Sequence, residues 1–130
     1  MPPWKDVTNM SNSRLIDALT ELGADTGGAL RRFMNNEAFY EKFLLKFRED
    51  KTFDGIAPAL AAGDTEAAFM AAHTLKGIAG NLGFTALYES VCALVEFLRA
   101  GDLDGARGAY APAEAAYRAV MELLEEGAPS

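Results

Sequence analysis

The stretch Ala72-His73-Thr74-Leu75-Lys76-Gly77-Ile78-Ala79-Gly80-Asn81-Leu82-Gly83 contains the only histidine among the 130 residues. Wound as an α-helix at 100° per residue, it separates into two faces. With His73 at zero, Lys76 falls at about −60°, Gly77 at about +40° and Gly80 at about −20°. Ala72, Leu75, Ala79 and Leu82 gather around −140°, roughly opposite. One side is an apolar packing stripe. The other presents an imidazole beside an ammonium, flanked by two residues without side chains.

A glycine inside a helix costs about 1 kcal/mol relative to alanine, so Gly77 and Gly80 need a reason other than helix formation. Two readings account for them. Either they clear the surface around the ring so that a large partner can approach, or they mark close helix packing beside an ordinary half-buried histidine. Lys76, one turn on, stabilises an anion held at the ring and disfavours a permanent imidazolium. The first reading suits a histidine phosphorylated on a ring nitrogen by another protein. Attack on phosphorus requires a neutral imidazole nitrogen, a form that ordinary histidines offer at pH 7.

Around this stretch the chain reads as all-helical. Alanine and leucine dominate, and the alternation of β-branched residues that marks strands is nearly missing. The spacing of Leu15, Ile16, Leu19 and Leu22 predicts a short helix over 12–21, with Ser13 a candidate cap. Asp25 is a candidate cap for a second short helix through Phe33, weakened by Gly27-Gly28. Asn35 or Asn36 then caps a longer helix from Glu37, with Phe39, Phe43, Leu44 and Phe47 on one broad face. Lys51-Thr52 interrupts that arm before Ile56 and Leu60. The motif helix runs from near Thr65-Glu66 to Gly83. Thr85 is a candidate cap for the next, whose inward face carries Leu87, Val91, Leu94 and Leu98. Asp102 caps a last segment in which Pro112 either kinks the helix or restarts it. Short breaks at 62–64, 83–85 and 101–102 make successive helices antiparallel. The expected architecture is an antiparallel up-and-down four-helix bundle with short N-terminal helices. It forms one domain over 1–130 with a bundle core at about 35–125 and a frayed tail at Gly127-Ala128-Pro129-Ser130.

Half the residues are apolar and 24% are charged, a globular composition. No run approaches the roughly 18 apolar residues of a membrane span. Met1-Pro2-Pro3-Trp4-Lys5-Asp6 is not followed by the apolar core of a secretory leader, so a cytoplasmic location is expected by default. A net charge of −7, with twelve basic residues scattered along the chain, argues against nucleic acid as a partner. It does not argue against an anion at one spot, because exposed charges beyond about 10 Å are largely screened. The single cysteine, Cys92, excludes an intramolecular disulfide. One histidine and one cysteine on different predicted helices do not make a zinc site. There is no glycine-rich ATP loop or nucleophile triad to support a hydrolase or kinase.

The run His73-Thr74-Leu75-Lys76-Gly77, followed by Gly80 and Leu82-Gly83, resembles the signature of histidine-containing phosphotransfer (HPt) domains of bacterial-type phosphorelays. Flanking positions agree: Glu37-Ala38-Phe39-Tyr40 at a helix start, Ala62-Gly63-Asp64 before the motif helix, and Arg99-Ala100-Gly101-Asp102 after the next helix. The resemblance covers roughly residues 28–125. It implies a phosphocarrier without small-molecule turnover of its own, in which His73 accepts a phosphoryl group from a receiver-domain aspartate and returns it to another. It implies that Lys76 neutralises phosphate charge and that Gly77 and Gly80 admit the partner. Arg99 is either a basic residue on the phosphate side or a solvated residue favoured by the helix dipole. The chain would carry no cofactor or metal, since the receiver brings its own acidic pocket and divalent cation. The partners implied are a response-regulator receiver domain and a hybrid sensor histidine kinase, met by a monomer. Many members place a glutamate or glutamine 19–22 residues after the histidine to bond the other ring nitrogen. Here those places hold Cys92 and Val95, with Glu89 and Glu96 elsewhere on the same helix. Arg31 and Arg32 with Phe33 and Met34 form a mixed patch, either for docking or merely solvated. The rival function is a non-catalytic helical adaptor.

Overall fold

Asp64 starts the helix on which the bundle is assembled, its side chain accepting a hydrogen bond from the Ala67 amide at 3.0 Å. That helix, α5, spans Thr65–Leu82 and ends at Gly83, whose φ of +83° gives the left-handed turn of a glycine cap. A side chain at Gly83 would also run into the Asp25 carbonyl. The computed structural model describes residues 10–126 of the chain. Before α5 come α1 (Met10–Leu22), α2 (Thr26–Arg32), α3 (Glu37–Lys46) and α4 (Ile56–Ala62). After it come α6 (Thr85–Arg99) and α7 (Leu103–Glu126). Among the described residues all regular structure is helical. The segment Met1–Asp6 and the tail from Gly127 lie outside the described residues.

Four arms form the bundle: α3 with α4, then α5, α6 and α7, joined by short turns that force antiparallel neighbours. The first arm is broken. Short 3₁₀ turns at Phe47–Glu49 and Phe53–Gly55 flank a break at Asp50, whose carboxylate accepts from the Thr52 amide at 2.8 Å. The two N-terminal helices close one end of the bundle. Leu15, Ile16 and Leu19 of α1 are buried in the same apolar cluster as the bundle residues.

The four-helix bundle with short N-terminal helices is thus the fold, and several local expectations are corrected. Helix α1 begins at Met10, so Ser13 lies inside it instead of capping it, and Leu22 is exposed. Asp25 does cap α2, and Gly28 assists: a side chain there would overlap the capping carboxylate. Asn36, not Asn35, caps α3 by accepting from the Phe39 amide, while Met34 and Asn35 form a left-handed turn. The buried stripe of α3 is Tyr40 and Leu44, continued by Phe47; Phe39 and Phe43 stay exposed and pack edge-on against each other beside Phe33. Thr85 is the first residue of α6 and not its cap, because the buried Phe84, packed on Phe47, takes the N-cap place directly after Gly83. Asp102 caps α7 through the Gly105 amide at 2.8 Å. Pro112 neither restarts nor ends α7, which runs through it on an exposed face.

The end of α5 is held from outside. Beyond the Gly83 amide, which donates to the Gly80 carbonyl at 3.3 Å, its last carbonyls are met by groups from other elements. Arg32 donates to the carbonyls of Gly80 at 2.7 Å and Asn81 at 3.1 Å, the Tyr40 hydroxyl donates to that of Leu82 at 2.7 Å, and the Asp25 amide donates to that of Gly83 at 2.8 Å. The mixed patch at 31–34 therefore divides: Arg32 is a helix cap, Phe33 is buried and Met34 is exposed. Burial pushes the Tyr40 phenol up to about 12, against a lowering by Arg32 and with a smaller raising by Asp25. A folded-state value above the unfolded one means the stabilisation is complete below about pH 10 and is lost as pH rises toward 12. Tyr40→Phe should cost about 1–3 kcal/mol at pH 8, because the Leu82 carbonyl loses its donor. The variant should also lose less stability than the native protein between pH 10 and 12, as read from denaturant unfolding at each pH.

Candidate functional site

His73 projects from the middle of α5 into solvent. Opposite it, Ala68, Ala72, Leu75, Ala79 and Leu82 are buried, which is the division the helical wheel anticipates. The imidazole lies over a neighbour that the sequence reading did not single out: the Phe69 ring, one turn earlier, at 5.6 Å between centroids and 31° between planes. Over Phe69 in turn sits the Arg99 guanidinium, 5.5 Å from the ring centroid. Arg99 also contacts Glu96 at 3.5 Å. So Arg99 at the end of α6 is brought to the histidine side of α5, although through Phe69 and not by touching the ring. Met70, exposed on the other flank, adds an apolar edge. The signal for Phe69 was available, since a residue at i−4 shares a helix face with His73.

Lys76 is half-buried on the same side of α5, and the ion pairs among the described residues engage Arg99, Arg107 and Arg118 instead. Among the described residues its ammonium makes no ion pair.

The two glycines prove unequal. A Cβ at Gly77 would meet nothing within 4 Å, so this position is open surface. A Cβ at Gly80 would stand 3.1 Å from the Tyr88 ring of α6. Gly80 thus lets the Tyr88 ring of α6 approach α5 closely, and Gly77 faces open space. Tyr88 is itself partly exposed, and the Cys92 thiol one turn on pushes its phenol above the ordinary value.

Two contacts fix the register of the helix pair. Gly80 faces Tyr88 and Phe69 faces Arg99, so in the antiparallel pair His73 lies level with Val95 and Lys76 with Cys92. Val95 is fully buried and offers no acceptor. Glu96 turns to Arg99, and Glu89 is exposed on α6 closer to its N-terminal end. Among the described residues no hydrogen bond to the imidazole is formed.

His73 is exposed on α5. A groove of about 220 Å³ beside Phe43, Lys46 and Ile78 and another of about 330 Å³ beside Arg32, Gly80 and Tyr88 are both lined without it. Among the described residues no group of three or more histidine, cysteine or acidic side chains could hold a metal ion.

A family model described as the Hpt domain matches residues 40–127, well over half of the chain. The chain belongs to the Hpt domain family. No curated protein and no solved structure gives a match. The Hpt domain is a histidine phosphotransfer module: it relays a phosphoryl group between receiver-domain aspartates and acts as a phosphocarrier, not as an enzyme turning over small molecules. Such domains exchange phosphoryl groups with receiver domains and sensor histidine kinases. Among the described residues no helix is long and apolar enough to cross a membrane.

The unequal glycines generate a test. Gly77→Ala should stabilise the Hpt domain by about 0.5–1 kcal/mol through helix propensity, since nothing opposes the new methyl group. Gly80→Ala should gain less or lose stability, because the Tyr88 ring must yield. Thermal unfolding of both variants measures the difference, and equal gains would place Tyr88 elsewhere in solution.

Proposed function

We propose that His73 is the phosphorylated residue of this Hpt domain, that Lys76 neutralises the transferred group, and that the receiver docks over the surface around them. The observation that carries this reading is the accessible imidazole at the centre of α5, beside an unpaired ammonium and the open Gly77. In the forward step a neutral ring nitrogen attacks the phosphorus of the receiver's aspartyl phosphate. A P–N bond forms, the P–O bond breaks and the aspartate leaves as a carboxylate. The proton on the other ring nitrogen stays, giving a phosphorylated imidazolium, and transfer to a second aspartate restores the neutral ring. The divalent cation that this chemistry draws on belongs to the receiver's acidic pocket.

Lys76 acts on the anionic oxygens, and its effect grows when the docked receiver excludes water. Arg99 adds positive charge at the edge of the same surface, and Phe69 and Met70 supply its apolar rim. An exposed patch of this kind suits transient binding more than a permanent interface. The reading includes a monomeric protein built as one domain, a hybrid sensor kinase as the upstream source of phosphoryl groups, and a cytoplasmic location, where ATP sustains such relays.

Incubation with phosphorylated receiver domains should place an acid-labile, alkali-stable label on the protein. His73→Gln should abolish the label and leave helicity unchanged by circular dichroism; label that persists would remove His73 from the mechanism. Lys76→Ala should slow transfer about tenfold or more without unfolding, given the roughly 1.5–3 kcal/mol of a charge-assisted contact. Gly77→Trp should block receiver binding while the fold holds. If no receiver transfers a label to the native protein, the helical adaptor becomes the better account.

A further inference from the structure

Among the described residues the imidazole of His73 has a ring neighbour but no hydrogen-bond acceptor, and this asymmetry bears on how its orientation is set. The register of α5 on α6 puts the ring level with Val95, a fully buried hydrocarbon side chain. The nearest carboxylate on that stretch of α6, Glu96, is drawn to Arg99 at 3.5 Å. What does touch the ring is Phe69, at 5.6 Å between centroids and 31° between planes. Phe69 is itself fixed from two directions. It packs against the apolar core with its edge half-buried, and the Arg99 guanidinium lies over it at 5.5 Å. His73, Phe69 and Arg99 therefore form one continuous line of side-chain contacts that runs from α5 to the end of α6.

We propose that Phe69 is a positioning residue for His73: it orients the imidazole for phosphoryl transfer by ring-to-ring contact, with Arg99 clamping Phe69 from α6. This deepens the assignment of His73 as the transfer residue and rests on it. Ring contact and hydrogen bonding differ in what they fix. A hydrogen bond to one ring nitrogen selects a tautomer as well as a direction. A ring contact restricts rotation about the Cβ–Cγ bond while leaving both nitrogens free to exchange protons with water. His73 in the free protein should accordingly show a restricted ring with both tautomers populated. The contact also answers to the phosphorylated state. The positively charged phosphoimidazolium would share the Phe69 ring with Arg99, while the phosphoryl oxygens draw the guanidinium away from Glu96.

The experiment follows ring order and transfer rate in the full chain. Ring order is read from ¹³C relaxation at His73 Cε1 and tautomers from ¹⁵N shifts, both without any phosphoryl donor. Transfer is read in single turnover, from a phosphorylated receiver and separately from phosphoramidate, which needs no docking surface. Phe69→Leu should free the ring and slow labelling by both donors about fivefold or more, with helicity and thermal midpoint close to native. Phe69→Tyr should restore both readouts, and Arg99→Gln should give an intermediate loss of ring order. Glu96→Gln should leave ring order unchanged.

Native ring order and rate in Phe69→Leu would overturn the proposal. So would a single fixed tautomer lost on Glu96→Gln, which would assign the orienting role to that carboxylate. If the native protein took no label from either donor, the phosphotransfer reading would fall, while the relaxation data would still decide whether Phe69 orders the ring.

Discussion

The close approach of α5 to α6 is the constraint on which the rest of the molecule depends. It requires small residues along the buried side of α5, and Ala68, Ala72 and Ala79 supply them, each with no exposed surface. Gly80 extends the contact outward by letting the Tyr88 ring lie directly against the helix backbone. Leu75 and Leu82 on one helix, with Leu87, Val91, Leu94 and Val95 on the other, then fill the space between the arms. Complete burial of side chains of this size contributes about 1.5–3 kcal/mol each. The same contact sets the register that brings Arg99 over Phe69 and Val95 level with His73. A one-turn slip would move both.

That packing leaves α5 with two separate tasks on opposite faces, and the helix ends are secured so that neither compromises the other. Asp64 caps its start, while Arg32, Tyr40 and the Asp25 amide take up the carbonyls of its last turn. These partners come from α2, α3 and the turn before α2, which gives the short N-terminal elements a structural purpose beyond covering the core. The exposed face needs no enclosure of its own.

Helical periodicity made the two faces of α5 legible, because a repeat of 3.6 residues assigns each position a direction whatever surrounds it. The caps at Asp25 and Asp102 were legible for the same local reason: a short acceptor ahead of an apolar run meets free amides three residues on. Phe39 and Phe43 misled, since their spacing fits a buried face and their size favours burial, yet Tyr40 and Leu44 occupy the core. Adjacent helix positions lie about 100° apart, and the sequence carries no signal for which of Phe39 and Tyr40 takes the buried side here. Thr85 misled as well, because the buried Phe84 claims the turn ahead of α6. The double role of the glycines was visible only as two alternatives.

The all-helical class, the order of the elements, the division of α5 into a buried apolar face and an exposed face carrying His73, and the resemblance to the Hpt family were all legible in the chain alone. Each of these follows from interactions within a few residues of one another or from a local motif. The tertiary structure alone decided that Gly80 makes room for Tyr88 whereas Gly77 faces open space, that Arg32 caps a helix some fifty residues away, and that Arg99 reaches the histidine side through Phe69. These depend on how far one helix is displaced along another. That displacement is fixed by the fit of many side chains at once, and no stretch of sequence read alone contains it.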